Sequence, residues 1–220
     1  MMYDSERIGS FYQIKEQWKS VDKTFADYIH KGMLLVKEEM ANLSGDELIG
    51  DEAIDVMFLE RSFLNAGLGY LFSQFEYYLF SMRVKMANLC SIPVEGKVFG
   101  DIINVELNKI LSIVGKKIES EPSLSVKWDR ILSYRKVRNA FVHENGITDQ
   151  GDTVYEVVFN LDDCIKNGYL KCYPMGLLKT EIQLSDLFIL KVCQDLTLFL
   201  YELIGFIEKD ATFCFLTGKK

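Results

Sequence analysis

Apolar residues recur every three or four positions over four long stretches of this chain, a spacing that fits helices burying one face each and little else. Residues 11–40 carry Ile14, Trp18, Val21, Phe25 and Tyr28 along one side. The stepping continues through Gly32 to Leu35, with the glycine a weak point in the stripe. Residues 185–209 repeat Ile189, Val192, Cys193, Leu196, Phe199, Leu200, Leu203 and Ile207, the most apolar run and the expected centre of the core. Residues 100–118 place Ile103, Leu107, Ile110, Leu111 and Val114 together. A long helix is predicted over 53–89 behind the acidic run Asp46, Glu47, Asp51, Glu52 and Asp55, whose carboxylates suit a helix start. Gly67 and Gly69 mark the expected kink or break in it. Pro122, tolerated in a first turn where its missing N–H has no partner to lose, opens a further helix over 123–144.

One region has a different texture. Residues 153–159 are β-branched and aromatic, and Tyr169-Leu170-Lys171-Cys172-Tyr173 follows Asn167-Gly168, which predicts a small β-hairpin ended by Pro174 and Gly176. The expected fold class is therefore all-α: a bundle of four to five helices with a small β-hairpin insertion before the C-terminal helix. A single domain over 1–220 is expected. Residues 11–52 form an N-terminal elaboration, 53–146 the bundle, 147–180 the hairpin insertion and 181–210 the C-terminal core helix.

The 220 residues suffice for one substantial core, and 49% hydrophobic with 26% charged residues is ordinary globular composition. A net charge of −7 argues against a protein that coats nucleic acid non-specifically but leaves room for a local basic site. The five cysteines are scattered, odd in number and form no Cys-x-x-Cys pair, which suits a reducing, cytoplasmic setting and argues against a disulfide framework or a zinc site. No metal or cofactor is expected. Asp4, Glu6 and Arg7 are followed by no apolar signal region, so secretion is not expected. Residues 62–82 and 184–207 are apolar but interrupted by Glu76 in the first and by Asp186, Lys191, Asp195 and Glu202 in the second, so both read as buried helices and no membrane partner is expected.

The greatest chemical content lies in Arg138-Asn139-Ala140-Phe141-Val142-His143, followed by Glu144-Asn145-Gly146 as the helix ends. Arginine supplies a permanent cation with a donor fork suited to phosphate, and histidine transfers protons near neutrality. Together they are the minimum equipment for breaking a phosphodiester. Leu124, Trp128, Ile131 and Leu132 make an apolar stripe whose continuation lands on Arg135, Asn139 and Val142, so polar residues occupy a face expected to meet something. Arg138 and His143 flank that stripe roughly 140° apart on an ideal helix, too far to grip one phosphate from one straight helix. Each residue alone also has an ordinary role, as a salt-bridge partner, a helix cap or a dipole partner. His30, with no Cys or His at ligand spacing, is read as structural.

The six-residue motif resembles the Arg-x4-6-His signature of the HEPN superfamily, including the polar residue directly after the arginine that its ribonuclease members favour. Ser73-Gln74-Phe75-Glu76-Tyr77-Tyr78-Leu79 is similar to an early helix of those domains. The resemblance covers about residues 53–209; the N-terminal helix and the hairpin depart from the minimal bundle. It implies a HEPN-like bundle and a metal-independent endoribonuclease using the ribose 2′-OH as nucleophile, which leaves 2′,3′-cyclic phosphate and 5′-OH ends. On that reading His143 is the acid/base, Arg138 the phosphate clamp and Asn139 an orienting residue. Lys127, Arg130, Arg135 and Lys136 are the expected RNA-binding cations. One motif gives one histidine while the reaction needs two proton transfers, and the resemblance implies a homodimer pairing two motif helices. Such a protein would act as a toxin or defence factor, with a nucleotidyltransferase-type antitoxin as a possible partner. The alternative is a non-catalytic HEPN-like interaction or dimerisation module that keeps the motif as a hydrogen-bond network.

Overall fold

The computed structural model describes residues 3–45, 47, 50–94, 102–149, 153–176 and 179–210. Among these the chain forms seven α-helices and a small antiparallel sheet. The helices are α1 (Tyr3–Asn42), α2 (Asp51–Leu89), α3 (Ile102–Ile113), α4 (Pro122–Glu144), α5 (Thr153–Asn160), α6 (Asp162–Lys166) and α7 (Asp186–Lys209). The strands are β1 (Ile147–Asp149), β2 (Leu170–Met175) and β3 (Lys179–Leu184). The positions of Asp46, Gly100 and Cys214 lie outside the described residues, as do the side chains of Asp4, Glu6 and Arg7.

Several expectations are corrected, the first being the count, since seven α-helices are present among the described residues where four to five were expected. Residues 153–159 lie in helix α5, not in a strand. Their β-branched content suggested a strand, but Val154, Val157, Val158 and Leu161 are spaced at three, four and seven, and the last three are buried. The β structure is a three-stranded sheet of order β1-β3-β2, in which β3 is the central strand. Lys179–Leu184 thus pairs on both sides, with Ile147↔Glu181 in one ladder and Lys171↔Gln183 in the other. Pro174 lies within β2 and does not end it, which is allowed because β2 is an edge strand. A further correction concerns α2, which runs unbroken through Gly67 and Gly69. Gly67 serves packing: a Cβ there would lie 2.9 Å from Ile29 Cδ1. Gly32 is likewise a contact point, where a Cβ would overlap the ring of Phe63.

The described contacts divide the chain into two compact units, and α1, α2, α4 and α7 each contribute a stretch to both. The first unit comprises Met1–Asp22, Phe72–Asp129 and Asp195–Lys220. Its core is aromatic: Trp18 meets Phe75 and Tyr78 edge-on, and Trp128 packs on Phe199 at 5.2 Å between centroids. Both indoles are satisfied, Trp18 donating to Thr197 Oγ1 at 2.8 Å and Trp128 to Asn104 Oδ1 at 3.0 Å. Arg83 and Glu106 form an ion pair with almost no solvent exposure.

The second unit comprises Lys23–Leu71 and Arg130–Gln194. Phe25, Ile29 and Met33 of α1, Leu64 and Leu68 of α2, Tyr134 and Val137 of α4, and Phe188 and Val192 of α7 are buried here. The sheet adds Leu170 and Ile182 to this unit's buried residues, while Lys171, Glu181 and Gln183 share the opposite face. No helix among the described residues is long and apolar enough to cross a membrane.

Candidate functional site

Helix α4 carries every residue of the Arg138–His143 motif, and its burial explains which side chains remain available. Leu124 and Trp128 are buried in its first half, and Ile131, Tyr134, Val137, Ala140 and Phe141 in its second. The inward stripe therefore does not continue through Arg135, Asn139 and Val142 as expected. Val137 and Phe141 lie roughly 80–120° around an ideal helix from Ile131, so the buried face turns partway along. This turn leaves Arg135 and Asn139 half-buried on the other face, with Lys136 and His143 exposed and Val142 54% exposed, while Arg138, roughly 40–60° around an ideal helix from Tyr134 and Phe141, is half-buried at the edge of the buried face.

Arg138 and Asn139 interact directly. Arg138 Nη1 donates to Asn139 Oδ1 at 3.0 Å. Arg138 Nε is buried and has no hydrogen-bond partner among the described residues. A buried guanidinium N–H left unmatched carries a desolvation cost. His143 stands in the last turn of α4 with its imidazole in solvent.

The end of the helix is held firmly. Asn145 and Gly146 both adopt positive φ, 50° and 75°, and the Gly146 N–H caps the Ala140 carbonyl at 3.1 Å. A side chain at Gly146 would strike the Phe141 ring at 2.5 Å, so glycine is required both for the backbone angle and for that contact. The Asn145 carbonyl accepts from Arg61, and the Gly146 carbonyl accepts from the Ile182 N–H at 2.8 Å. These two bonds tie the turn after His143 to α2 and to the central strand.

The four expected RNA-contacting cations have different surroundings. Lys127 belongs to the first unit and pairs with Glu202. Arg130, in the second unit, is held in a fork by Asp163, with Nη1–Oδ1 at 3.1 Å and Nη2–Oδ2 at 2.6 Å, and its Nε donates to Tyr134 Oη at 2.6 Å. Burial works against the Arg130 cation, but the bonds to Asp163 and Tyr134 outweigh it and hold its pKa above the usual range. The same fork holds the Asp163 carboxyl below the usual carboxylate range. Lys136 is exposed on α4, one position beyond the half-buried Arg135. Lys127 and Arg130 are thus committed to carboxylates, and sequence alone had no means of showing those partners.

A cavity of about 460 Å³ opens elsewhere in the second unit, between the first half of α2 and the polar face of the sheet. Phe141 is the motif-helix residue that lines it, and Arg138, Asn139 and His143 do not. The sequence held a faint sign of it. Arg61 is a lone cation on a helix face that otherwise carries Ile54, Met57, Phe58 and Leu64. Among the described residues, no group of three or more His, Cys, Asp or Glu side chains is placed to hold a metal ion. Cys164 and Cys193 are buried, Cys90 and Cys172 half-buried, and burial pushes the Cys172 thiol up.

No protein-family model, curated protein or solved structure matches this chain.

Proposed function

We propose that this chain is a metal-independent endoribonuclease of the HEPN type, working as a homodimer whose two α4 helices meet. The observation that carries the reading is the C-terminal half of α4, where Arg138 is half-buried with its Nη1 steadied by Asn139 and His143 is exposed in the last turn. Arg138 offers donors to a phosphate, and His143 is the group that exchanges a proton.

The chemistry follows from those groups. The ribose 2′-OH attacks the neighbouring phosphorus, and the bond to the departing 5′ oxygen breaks. One base takes the 2′-OH proton, one acid protonates the leaving oxygen, and Arg138 offsets the charge building on the phosphorane. Arg138 and His143 stand roughly 140° apart around one helix axis. A second copy supplies the missing half, so that one chain's arginine serves the other chain's histidine. Within a cell this activity would belong to a toxin or defence protein, restrained by a nucleotidyltransferase-type antitoxin.

The test is cleavage of single-stranded RNA in the presence of a chelator. Products should end in 2′,3′-cyclic phosphate and 5′-OH, and DNA of the same sequence, lacking the nucleophile, should survive. His143→Ala should lose roughly 10²–10⁴-fold in rate, the usual cost of a missing general acid/base. If His143→Ala cuts as fast as wild type, the catalytic assignment is wrong.

The Arg138–Asn139 bond also favours a second reading, a non-catalytic interaction module in which the motif is an internal hydrogen-bond network. That reading takes over if the wild-type protein cuts no RNA pool.

A further inference from the structure

The cavity in the second unit has two unlike walls. On the α2 side, Met57, Phe58 and Leu64 present apolar surface, and Phe141 adds an aromatic ring from α4. On the sheet side, Lys171, Glu181 and Gln183 project from one face. A volume of about 460 Å³ lies within the range typical of small-molecule sites, which join an apolar lining to a few placed polar groups.

The charges at this cavity sort themselves. Arg61 is consumed by Glu181 at 2.7 Å and by the Asn145 carbonyl, so that pair closes on itself. This leaves one carboxylate, Glu60, and one ammonium, Lys171, lining the same space with no ion-pair partner among the described residues. Asn65 also lines it, and its Oδ1 is buried with no hydrogen-bond partner among the described residues.

We infer that this cavity binds a small zwitterion with an apolar body, of the chemical class of a free apolar α-amino acid. The ammonium group has three donors, which suit the Glu60 carboxylate on the helix wall. The ligand carboxylate pairs with Lys171 on the sheet wall, and the apolar body lies against Met57, Phe58, Leu64 and Phe141. A purely anionic ligand would face Glu60 and a purely cationic one Lys171, so the walls favour a molecule carrying both charges. This binding does not depend on the ribonuclease reading, since neither Arg138 nor His143 lines the cavity.

The experiment is calorimetric titration of the full chain with L-phenylalanine, read as direct binding without RNA. Saturable binding is expected within the millimolar range or tighter. N-acetyl-phenylalanine, which lacks the ammonium, and phenylalaninamide, which lacks the carboxylate, should each bind roughly tenfold or more weakly, as expected for loss of one charge-assisted bond. Alanine should not bind detectably. Lys171→Glu and Phe58→Ala alter exposed side chains, so the fold should survive, checked by an unchanged circular dichroism spectrum, while affinity falls. Absence of saturable phenylalanine binding to the wild-type chain overturns the inference. So does equal affinity across the three phenylalanine ligands, or wild-type affinity in both folded variants.

Discussion

Removing Glu106 should expose how strongly the first unit depends on a single buried charge. Arg83 Nε and Glu106 Oε2 lie 2.5 Å apart, and the two side chains are only 4% and 1% exposed. Taking two charges out of water is expensive, and the pair repays it only while both members are present. Glu106→Ala removes the carboxylate that meets the buried Arg83 Nε, while the Phe80 ring, its centroid 5.2 Å from the Arg83 guanidinium carbon, remains. The expected loss is therefore about 3–5 kcal/mol, the usual range for breaking a buried pair by one partner. At roughly 2–4 °C per kcal/mol for a chain of this size, the melting temperature should fall by roughly 6–20 °C. The decisive comparison is the double variant Arg83→Met with Glu106→Leu. It removes both charges and keeps apolar volume, so it should recover most of the loss. Urea denaturation of the wild type, Arg83→Met, Glu106→Leu and the double variant completes the cycle. If Glu106→Ala costs less than about 1 kcal/mol, or the double variant is no better than the singles, water reaches the pair and the reasoning fails.

Three further outcomes follow from the geometry. The Arg130 fork lowers the Asp163 pKa, and a depressed folded pKa contributes stability above the unfolded value of about 4 that is lost as pH falls through the folded value. The stability advantage of wild type over Asp163→Asn should thus shrink between about pH 6 and pH 3, and since Asp163 is half exposed it should not exceed about 1 kcal/mol. Gly146→Ala forces a side chain at φ 75° into the Phe141 ring, and should cost about 1–3 kcal/mol by denaturation while slowing any RNA cleavage that depends on the position of His143. On the proposed ribonuclease reading, Lys136→Glu on the exposed face of α4 should weaken RNA binding and flatten its salt dependence, whereas Lys127→Glu, whose wild-type lysine is already paired with Glu202, should change the salt slope less.

What could be read from the chain alone was local. The helices at 11–40, 53–89, 123–144 and 185–209 are present within a few residues, except that α1 begins earlier, at Tyr3. A three- and four-residue apolar rhythm sustained over many turns has only one backbone that buries it. Pro122 and Asn145-Gly146 bound α4 where expected, because φ limits and positive-φ turns are properties of the residues themselves. Short segments escaped this logic. Residues 153–159 are β-branched but helically spaced, and over so few residues the burial of Val157, Val158 and Leu161 decided the outcome. Lys179–Leu184 alternates, with Thr180, Ile182 and Leu184 against Lys179, Glu181 and Gln183, but it is short, and its central place comes from β1 and β2 both pairing with it.

The motif was legible as residue types, and its surroundings were not. Spacing placed Arg138, Asn139 and His143 on one helix, but the turn of the buried face toward Val137 and Phe141 is set by side chains far away in sequence. So is the capture of Arg130 by Asp163, 33 residues on, and of Lys127 by Glu202, 75 residues on. The wall that sets Lys171 across a cavity from Asn65 is likewise joined by the Arg61–Glu181 pair, 120 residues apart. A periodic pattern reports which backbone a segment prefers, because that preference is summed over neighbours along the chain. Which charge is neutralised and which polar atom is left waiting depends on groups brought near only by folding, and there the tertiary structure decides.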